Sequence, residues 1–327
     1  MSQTALRSAC VKMTPSGSCR LSRDGVYLFV GAGASVPLGF PSGGGLLNAY
    51  IKAIENACDS YPKACHPSPR ELDEMRLLIA ESGASSIDDL LKMAAARDLN
   101  GIVSFGRHFV DHWITTSEQR LLAEQGPAYV SPWVAKLLDY FTAGTANYEE
   151  SYNRIRPLDA SCPGIDVNTL NYDRVLEHSI MNWFLARYPG SESAIRLDWM
   201  GSALVRHHHG SLGTLAERPF GEPRRNGDPI LKFWFEKSHK AESWDINNRL
   251  IQLRKNLVVL GFGYHDSIVS RFDRLDIEKR VYLTALDRKD ERRAQEFLLQ
   301  LGQRNAHQST GKHCIMEAID QLSADYQ

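Results

Sequence analysis

Two polar stretches of this chain carry side chains suited to chemistry. In "TLNYD", Asn171 and Asp173 stand two apart, directly behind an apolar run. An asparagine amide donates and accepts at once, so Asn171 can hold a hydroxyl or position a water, whereas Asp173 is placed to cap the helix that follows. Capping does not account for Asn171. In "RHHHGS", three imidazoles, His207, His208 and His209, precede a glycine. Histidine titrates near neutrality and can orient or deprotonate a hydroxyl or a water, which suits a general base. Adjacent residues of a strand face opposite ways, so three successive histidines cannot all grip one ion while extended, and a metal site ranks below a general base. For His207 and His208, packing or solvent exposure is the expectation.

Two further stretches offer backbone rather than side chains. "YLFVGAGASVPLGFPSG" follows an apolar run with small residues, and Gly31, Gly33, Gly39 and Gly43 let main-chain N–H groups approach a ligand closely. The ligand this suggests is a phosphate. Alone the loop reads equally as a plain strand-to-helix turn, because Val36 stands where a third spaced glycine would be. "LVVLGFGYHD" repeats the scheme, with Gly261 and Gly263 able to admit a second portion of the same ligand.

Such loops need elements to aim them. "VYLFV" reads as a strand buried on both faces, followed by the helix "GLLNAYIKAIENA" with Leu46, Leu47, Tyr50, Ile51 and Ile54 on one side. Helical patterns then dominate: "ELDEMRLLIAE", "SSIDDLLKMAAA" with Ser86 and Asp89 spaced as a capping box, "SFGRHFVDHWI", and "SPWVAKLLDYF" with Ser131 as N-cap. "CHPSPR" reads as a loop among them. Alternation resumes with "IDVNTL" as strand, "DRVLEHSIMNWFLARY" as helix and "ALVRHHHGS" as strand and loop. "RLIQLRKN" reads as helix, "LVVLGFG" and "VYLTAL" as strands, "ERRAQEFLLQL" as helix and "HCIM" as strand. The expected fold is α/β, a Rossmann-like doubly wound parallel sheet with an inserted helical layer, in which ligands bind beyond the carboxyl ends of the strands. The expected division is a tail over residues 1–24, a nucleotide-binding domain over 25–45 and 160–327, and a helical insertion over 46–159.

With 38 basic against 39 acidic residues, no overall field favours nucleic acid or an anionic membrane as a partner. No apolar run reaches bilayer-spanning length and the first twenty residues hold no secretory apolar core, so a cytoplasmic location is expected. The cysteines, Cys10, Cys19, Cys58, Cys65, Cys162 and Cys314, include no C-x-x-C pair, which speaks against a disulfide framework and a four-cysteine zinc site.

Taken in order, "GAGAS", "PSG", "TLNYD", "HHHGS" and "LGFGYHD" resemble the sirtuin superfamily, in particular the sirtuin-like NAD hydrolases of bacterial anti-phage defence. The resemblance spans roughly residues 26–270. It implies that Gly31, Ala32, Gly33, Ala34 and Ser35 cradle the NAD diphosphate, and that Pro41, Ser42, Asn171 and Asp173 also bind NAD. Asn171 and His209 would be catalytic, Asp173 would support the same site, and Gly261, Phe262, Gly263, Tyr264 and Asp266 would contact the adenosine end. The ligand is then NAD, consumed as a substrate, with no metal. Deacylases of the superfamily carry a zinc on two cysteine pairs and a D-F-R segment; this chain lacks the pairs and has "PLGFPSGGG" in place of D-F-R, so deacylation ranks low. The resemblance implies an NAD glycohydrolase acting as a defence effector, homo-oligomeric, beside a HerA-type DNA-translocating ATPase. A non-catalytic sensor of NAD or ADP-ribose is the alternative.

Overall fold

The structure, a computed structural model, describes residues 25–55, 66–84, 86–156, 164–200, 205–208, 210, 212–225, 231, 233, 251, 254–264, 266–275, 279–285, 287–303, 306–311 and 314–324. Of the expected helix "RLIQLRKN", Arg249, Leu250, Gln252 and Leu253 lie outside them, and its last residue, Asn256, begins a strand instead. Six parallel strands form one sheet: β1 (Val26–Val30), β2 (Ile165–Thr169), β3 (Val205–His207), β4 (Asn256–Leu260), β5 (Arg280–Ala285) and β6 (His307–Thr310), in the spatial order β3-β2-β1-β4-β5-β6. That order defines a doubly wound α/β sheet whose direction of travel reverses between β1 and β4, where a crevice opens beyond the carboxyl ends. The register sets those ends level, with Val30 opposite both Thr169 and Leu260.

Every residue of β1 and β4 is buried, and alternate residues serve opposite faces. Val26, Leu28 and Val30 join one core with α5 (Pro132–Phe141), α6 (Tyr148–Ile155), α7 (Val175–Arg187), α8 (Glu192–Met200) and the final helix, Cys314–Ala324. Tyr27 and Phe29 join another with Phe262, Phe272 and Phe297, the last on the helix Arg288–Gln300. A third core belongs to α1 (Gly43–Glu55), α2 (Pro69–Ser82), α3 (Ile87–Ala96) and α4 (Asn100–Gln125), to which Tyr172, Val175, Leu212, Leu215 and Phe220 also contribute. Within the stretch read as an insertion, then, α1–α4 gather around their own core and α5 and α6 pack on the sheet.

Several local readings differ from the outcome. "HCIM" is not a strand: Cys314 opens a helix whose Cys314, Ile315, Ala318, Ile319 and Leu322 recur at helical spacing and are buried, while the edge strand is the polar "HQST" before it. "CHPSPR" is not wholly loop, because Ser68 and Glu71 form a reciprocal capping box and α2 begins at Pro69. Ser86 accepts from the Asp89 N–H as expected, whereas the Ser131 hydroxyl makes no cap bond to α5. Ile51 is only half-buried, although Leu46, Leu47, Tyr50 and Ile54 are buried on α1.

Candidate functional site

The two glycine loops meet back to back at the reversal of strand order. Gly31 N–H donates to the Leu260 carbonyl and Gly33 N–H to the Gly261 carbonyl, both at 2.8 Å, while Gly261 N–H is held by Thr284 Oγ1 at 2.7 Å. A Cβ on Gly31 would lie 2.5 Å from the Gly261 oxygen, and one on Gly261, where φ is +59°, would lie 2.1 Å from the Ala34 nitrogen. The glycines therefore let two main chains touch, as well as leaving room for a ligand. Their amides are largely committed: Ala34 N–H bonds Gly31 O and Ser35 N–H bonds Ala32 O, within a 3-10 turn over Ala32–Ala34.

A cleft of about 220 Å³ opens to solvent in front of this junction. One wall comes from the sheet edge: Gly31, Ala32, Gly33, Leu170, Asn171, Tyr172, Asp173, Gly261, Phe262 and Gly263. The facing wall comes from the helical layer and includes Pro41, Ser42, Gly43, Gly44, Leu46, Ser86, Ile87, Asp88 and Ile114. Gly43 and Gly44 open α1, a 13-residue helix whose first N–H groups have no partner within the helix and favour an anion. The run of three glycines ahead of "LLNAY" is the sequence signal for this second phosphate-compatible edge, and only its first member was singled out above.

Of the remaining sequence-picked residues, Ala34 and Ser35 are buried behind the lining. Tyr264, at φ +48°, is buried with its hydroxyl on the Thr284 carbonyl. Asp266 begins a single helical turn, Asp266–Val269. His209 lies outside the described residues. Asp88 and Tyr172, joined by a hydrogen bond from the Tyr172 hydroxyl, were not singled out in the sequence; their contact links α3 to the loop after β2 and has no local signature.

Asn171 is fixed from three sides. Its N–H donates to Thr169 Oγ1 at 3.0 Å, which itself donates to the Val30 carbonyl. Its Nδ2 donates to Ser35 Oγ at 3.1 Å, and its own carbonyl receives His207 Nδ1 at 2.7 Å. The carboxamide oxygen Oδ1 is buried and has no hydrogen-bond partner. An unsatisfied buried acceptor costs about 1–3 kcal/mol, so an unpartnered Oδ1 in a residue that lines the cleft is a feature a hydroxyl-bearing ligand reaching it would complete.

Asp173 is 6% exposed and accepts the Val175 N–H at 3.2 Å, the capping role expected of it. Burial pushes its carboxyl up to about 6, against the Val175 N–H and the Ser35 hydroxyl, which favour the anion; Glu118 and Glu177 add to the rise. His207 is neither simply packed nor exposed. Its Nε2 lies 2.6 Å from Glu177 Oε1 and its side chain is 8% exposed. Burial pushes this imidazolium down, but the Glu177 carboxylate, with help from the Asn171 carbonyl and Asp173, more than offsets it and the ring keeps its proton above the usual histidine range. His208 contacts Asn168 Oδ1 through Nε2 at 3.1 Å.

Behind Asp173, Arg174 is fully buried against Glu118 of α4, with Nη2 to Oε2 at 2.6 Å. Two turns away on α4, Asp111 receives both ends of the Arg218 guanidinium at 2.8 and 2.9 Å. These pairs tie the helical layer to the loop that carries Asn171.

Among the described residues no group of three or more His, Cys, Asp or Glu is placed to hold a metal ion, and no helix is long and apolar enough to cross a membrane. No protein-family model matches the chain, and comparison with curated proteins returns no match.

Proposed function

We propose that the chain is a sirtuin-like NAD glycohydrolase that splits NAD and water into nicotinamide and ADP-ribose. The observation that carries this reading is the Asn171 carboxamide: Nδ2 is committed to Ser35, and Oδ1 is buried without a hydrogen-bond partner, in a residue that lines a glycine-walled cleft at the reversal of strand order. The orientation of the amide is thereby set, and what it offers is an acceptor for a ribose hydroxyl or an incoming water. The start of α1, where an added Cβ on Gly43 or Gly44 would meet nothing within 4 Å, supplies uncluttered backbone for a diphosphate.

The chemistry asks little more of the protein. The bond between the anomeric carbon and the pyridinium nitrogen breaks, its electron pair leaves on a neutral nicotinamide, and the oxygen of water bonds to the carbon and releases one proton. Charge builds on the ribose in the transition state, so positioned dipoles and exclusion of water from the wrong face can provide much of the rate. Asn171 places the hydroxyl or water, and the base assigned through the resemblance is His209. The same resemblance gives the chain its proposed setting, a homo-oligomeric cytoplasmic effector of anti-phage defence with a HerA-type ATPase as partner.

The test is to incubate the purified chain with NAD and measure free nicotinamide. Release that disappears in Asn171→Ala and in His209→Ala, with NAD affinity largely kept, is the expected result. NAD binding without nicotinamide at any concentration would replace the hydrolase with a sensor, and near-normal turnover by Asn171→Ala would overturn the assignment.

A further inference from the structure

We infer that His207 and Glu177 form a protonated clamp that positions Asn171, so that the reactive loop is ordered only while the pair holds a shared proton. The inference rests on the reading of Asn171 as the amide that meets substrate.

The geometry is one of counting protons. Two ring nitrogens of His207 face two acceptors, the Asn171 carbonyl oxygen at 2.7 Å and Glu177 Oε1 at 2.6 Å. A backbone carbonyl only accepts, so Nδ1 must carry a hydrogen; the contact at Nε2 is attractive only if another proton lies between the ring and the carboxyl. Remove it, and either a lone pair of the ring meets the carboxylate or one meets the carbonyl of Asn171. One of the two contacts is then lost. Glu177 sits in the first turn of α7 and its Oε2 makes no hydrogen bond, so the hydrogen bonding of this buried carboxyl runs through His207 alone. The other ionisable group acting on the pair is Asp173 from the loop after β2, which favours retention of the proton; beyond it, Glu118 of α4 faces Asp173 and is itself paired with Arg174. The clamp spans three elements: β3 supplies the ring, α7 the carboxyl, and the loop between β2 and α7 the residue held. His207 touches the backbone of Asn171 and not its amide group, so it is a positioning residue.

The test uses the full chain labelled with ¹⁵N-histidine. The ring signal lost in His207→Asn is expected to show two N–H protons at pH 7 and to lose one only above the usual histidine range. In Glu177→Gln the same ring is expected to be neutral with its proton on Nδ1, because a glutamine amide can donate to Nε2 and keep both contacts without charge. The side-chain amide signal of Asn171 should follow the His207 titration in the wild type and stay fixed over the same range in Glu177→Gln. A neutral His207 ring at pH 7 in the wild type, or an Asn171 signal indifferent to the titration, overturns the clamp.

Turnover supplies a second reading. Nicotinamide release should fall on the alkaline side with the His207 midpoint, and Glu177→Gln should remove that limb while restoring most of the rate that Glu177→Ala loses. His207→Ala should lower kcat about 100-fold with little change in KM, and His207→Asn, whose amide can donate from the Nδ1 position, should recover much of it. An alkaline limb that survives in Glu177→Gln, or equal losses in His207→Ala and His207→Asn, would show a merely structural pair. If the wild type releases no nicotinamide at any pH, the hydrolase reading fails by itself, and the two resonances still decide the clamp.

Discussion

A carboxyl buried as Asp173 is, with acidic neighbours and only an N–H and a hydroxyl for company, works against the folded state whenever it is ionised. Its folded pKa of about 6 lies above the ordinary aspartate value of 3.8, so its contribution to stability is fully present below the latter and is lost as pH rises through the former. Asp173→Asn should therefore make the protein more stable at pH 7.5, by about 1–3 kcal/mol, with the difference vanishing below pH 4; urea midpoints at both pH values measure it. A variant no more stable at neutral pH would mean that the anion is better supported than its surroundings indicate. His207, also raised, contributes stability that is present below the ordinary histidine range and lost as pH rises through its higher folded value, so the two groups tilt stability the same way. Gly261 makes a different demand. With φ at +59° and the Ala34 nitrogen 2.1 Å from any added Cβ, Gly261→Ala strains one loop and pushes on the other. It should cost at least about 1–3 kcal/mol and weaken NAD binding together with stability. Full NAD affinity in a folded Gly261→Ala would separate the glycine junction from the site.

At the level of elements, α4 holds most of what could not be read in advance. The sequence reading recognised only "SFGRHFVDHWI" of a helix that runs from Asn100 to Gln125, because Asp111, Thr115 and Glu118 are buried along a stripe where apolar residues would be expected. Their partners, Arg218 and Arg174, lie 107 and 56 positions away, and no local pattern announces a charge pair formed at that distance. The central strands were legible for the opposite reason: burial on both faces leaves runs such as "VYLFV" and "LVVL" with little to confuse them. The edge strand "HQST" has three of its four residues away from full burial and carries no such run, and in α8 Ile195, Leu197 and Trp199 stand at every second position, a spacing that does not announce a helix. In the site, the glycines and Asn171 showed themselves through residue type and place after a strand. The pairing of His207 with Glu177 and of Tyr172 with Asp88 depended on the fold. The buried pair on α4 also yields a firm expectation. Glu118→Leu leaves Arg174 charged, fully buried and without its carboxylate, and should destabilise the protein by about 3–5 kcal/mol in chemical denaturation. A loss under about 1 kcal/mol would show that the guanidinium is satisfied by the Arg218 and Pro219 carbonyls it also meets.

For the molecule as a whole, the decisive arrangement is that the cleft has one wall from the sheet and one from the helical layer. A ligand bridging them should hold both, raising stability by about 2.7 kcal/mol at 100 times its dissociation constant. Hydrogen exchange should slow at the start of α1 and of α3 as well as after β1 and β4. Protection confined to the sheet side would place the ligand on one wall only. The same sheet also dictates a timetable. Among the described residues β1 is the first strand to be synthesised, yet hydrogen bonds from it and from the residue before it run to segments far ahead, 139 positions from Val30 to Thr169 and 231 from Gly25 to Asn256. At ordinary translation rates the interval before β4 leaves the ribosome is on the order of tens of seconds. Until then Gly31 and Gly33 have no Gly261 to rest against, and the nascent chain has no completed pocket. The cleft is thus kept incomplete throughout the making of the chain, by the order in which its strands are threaded.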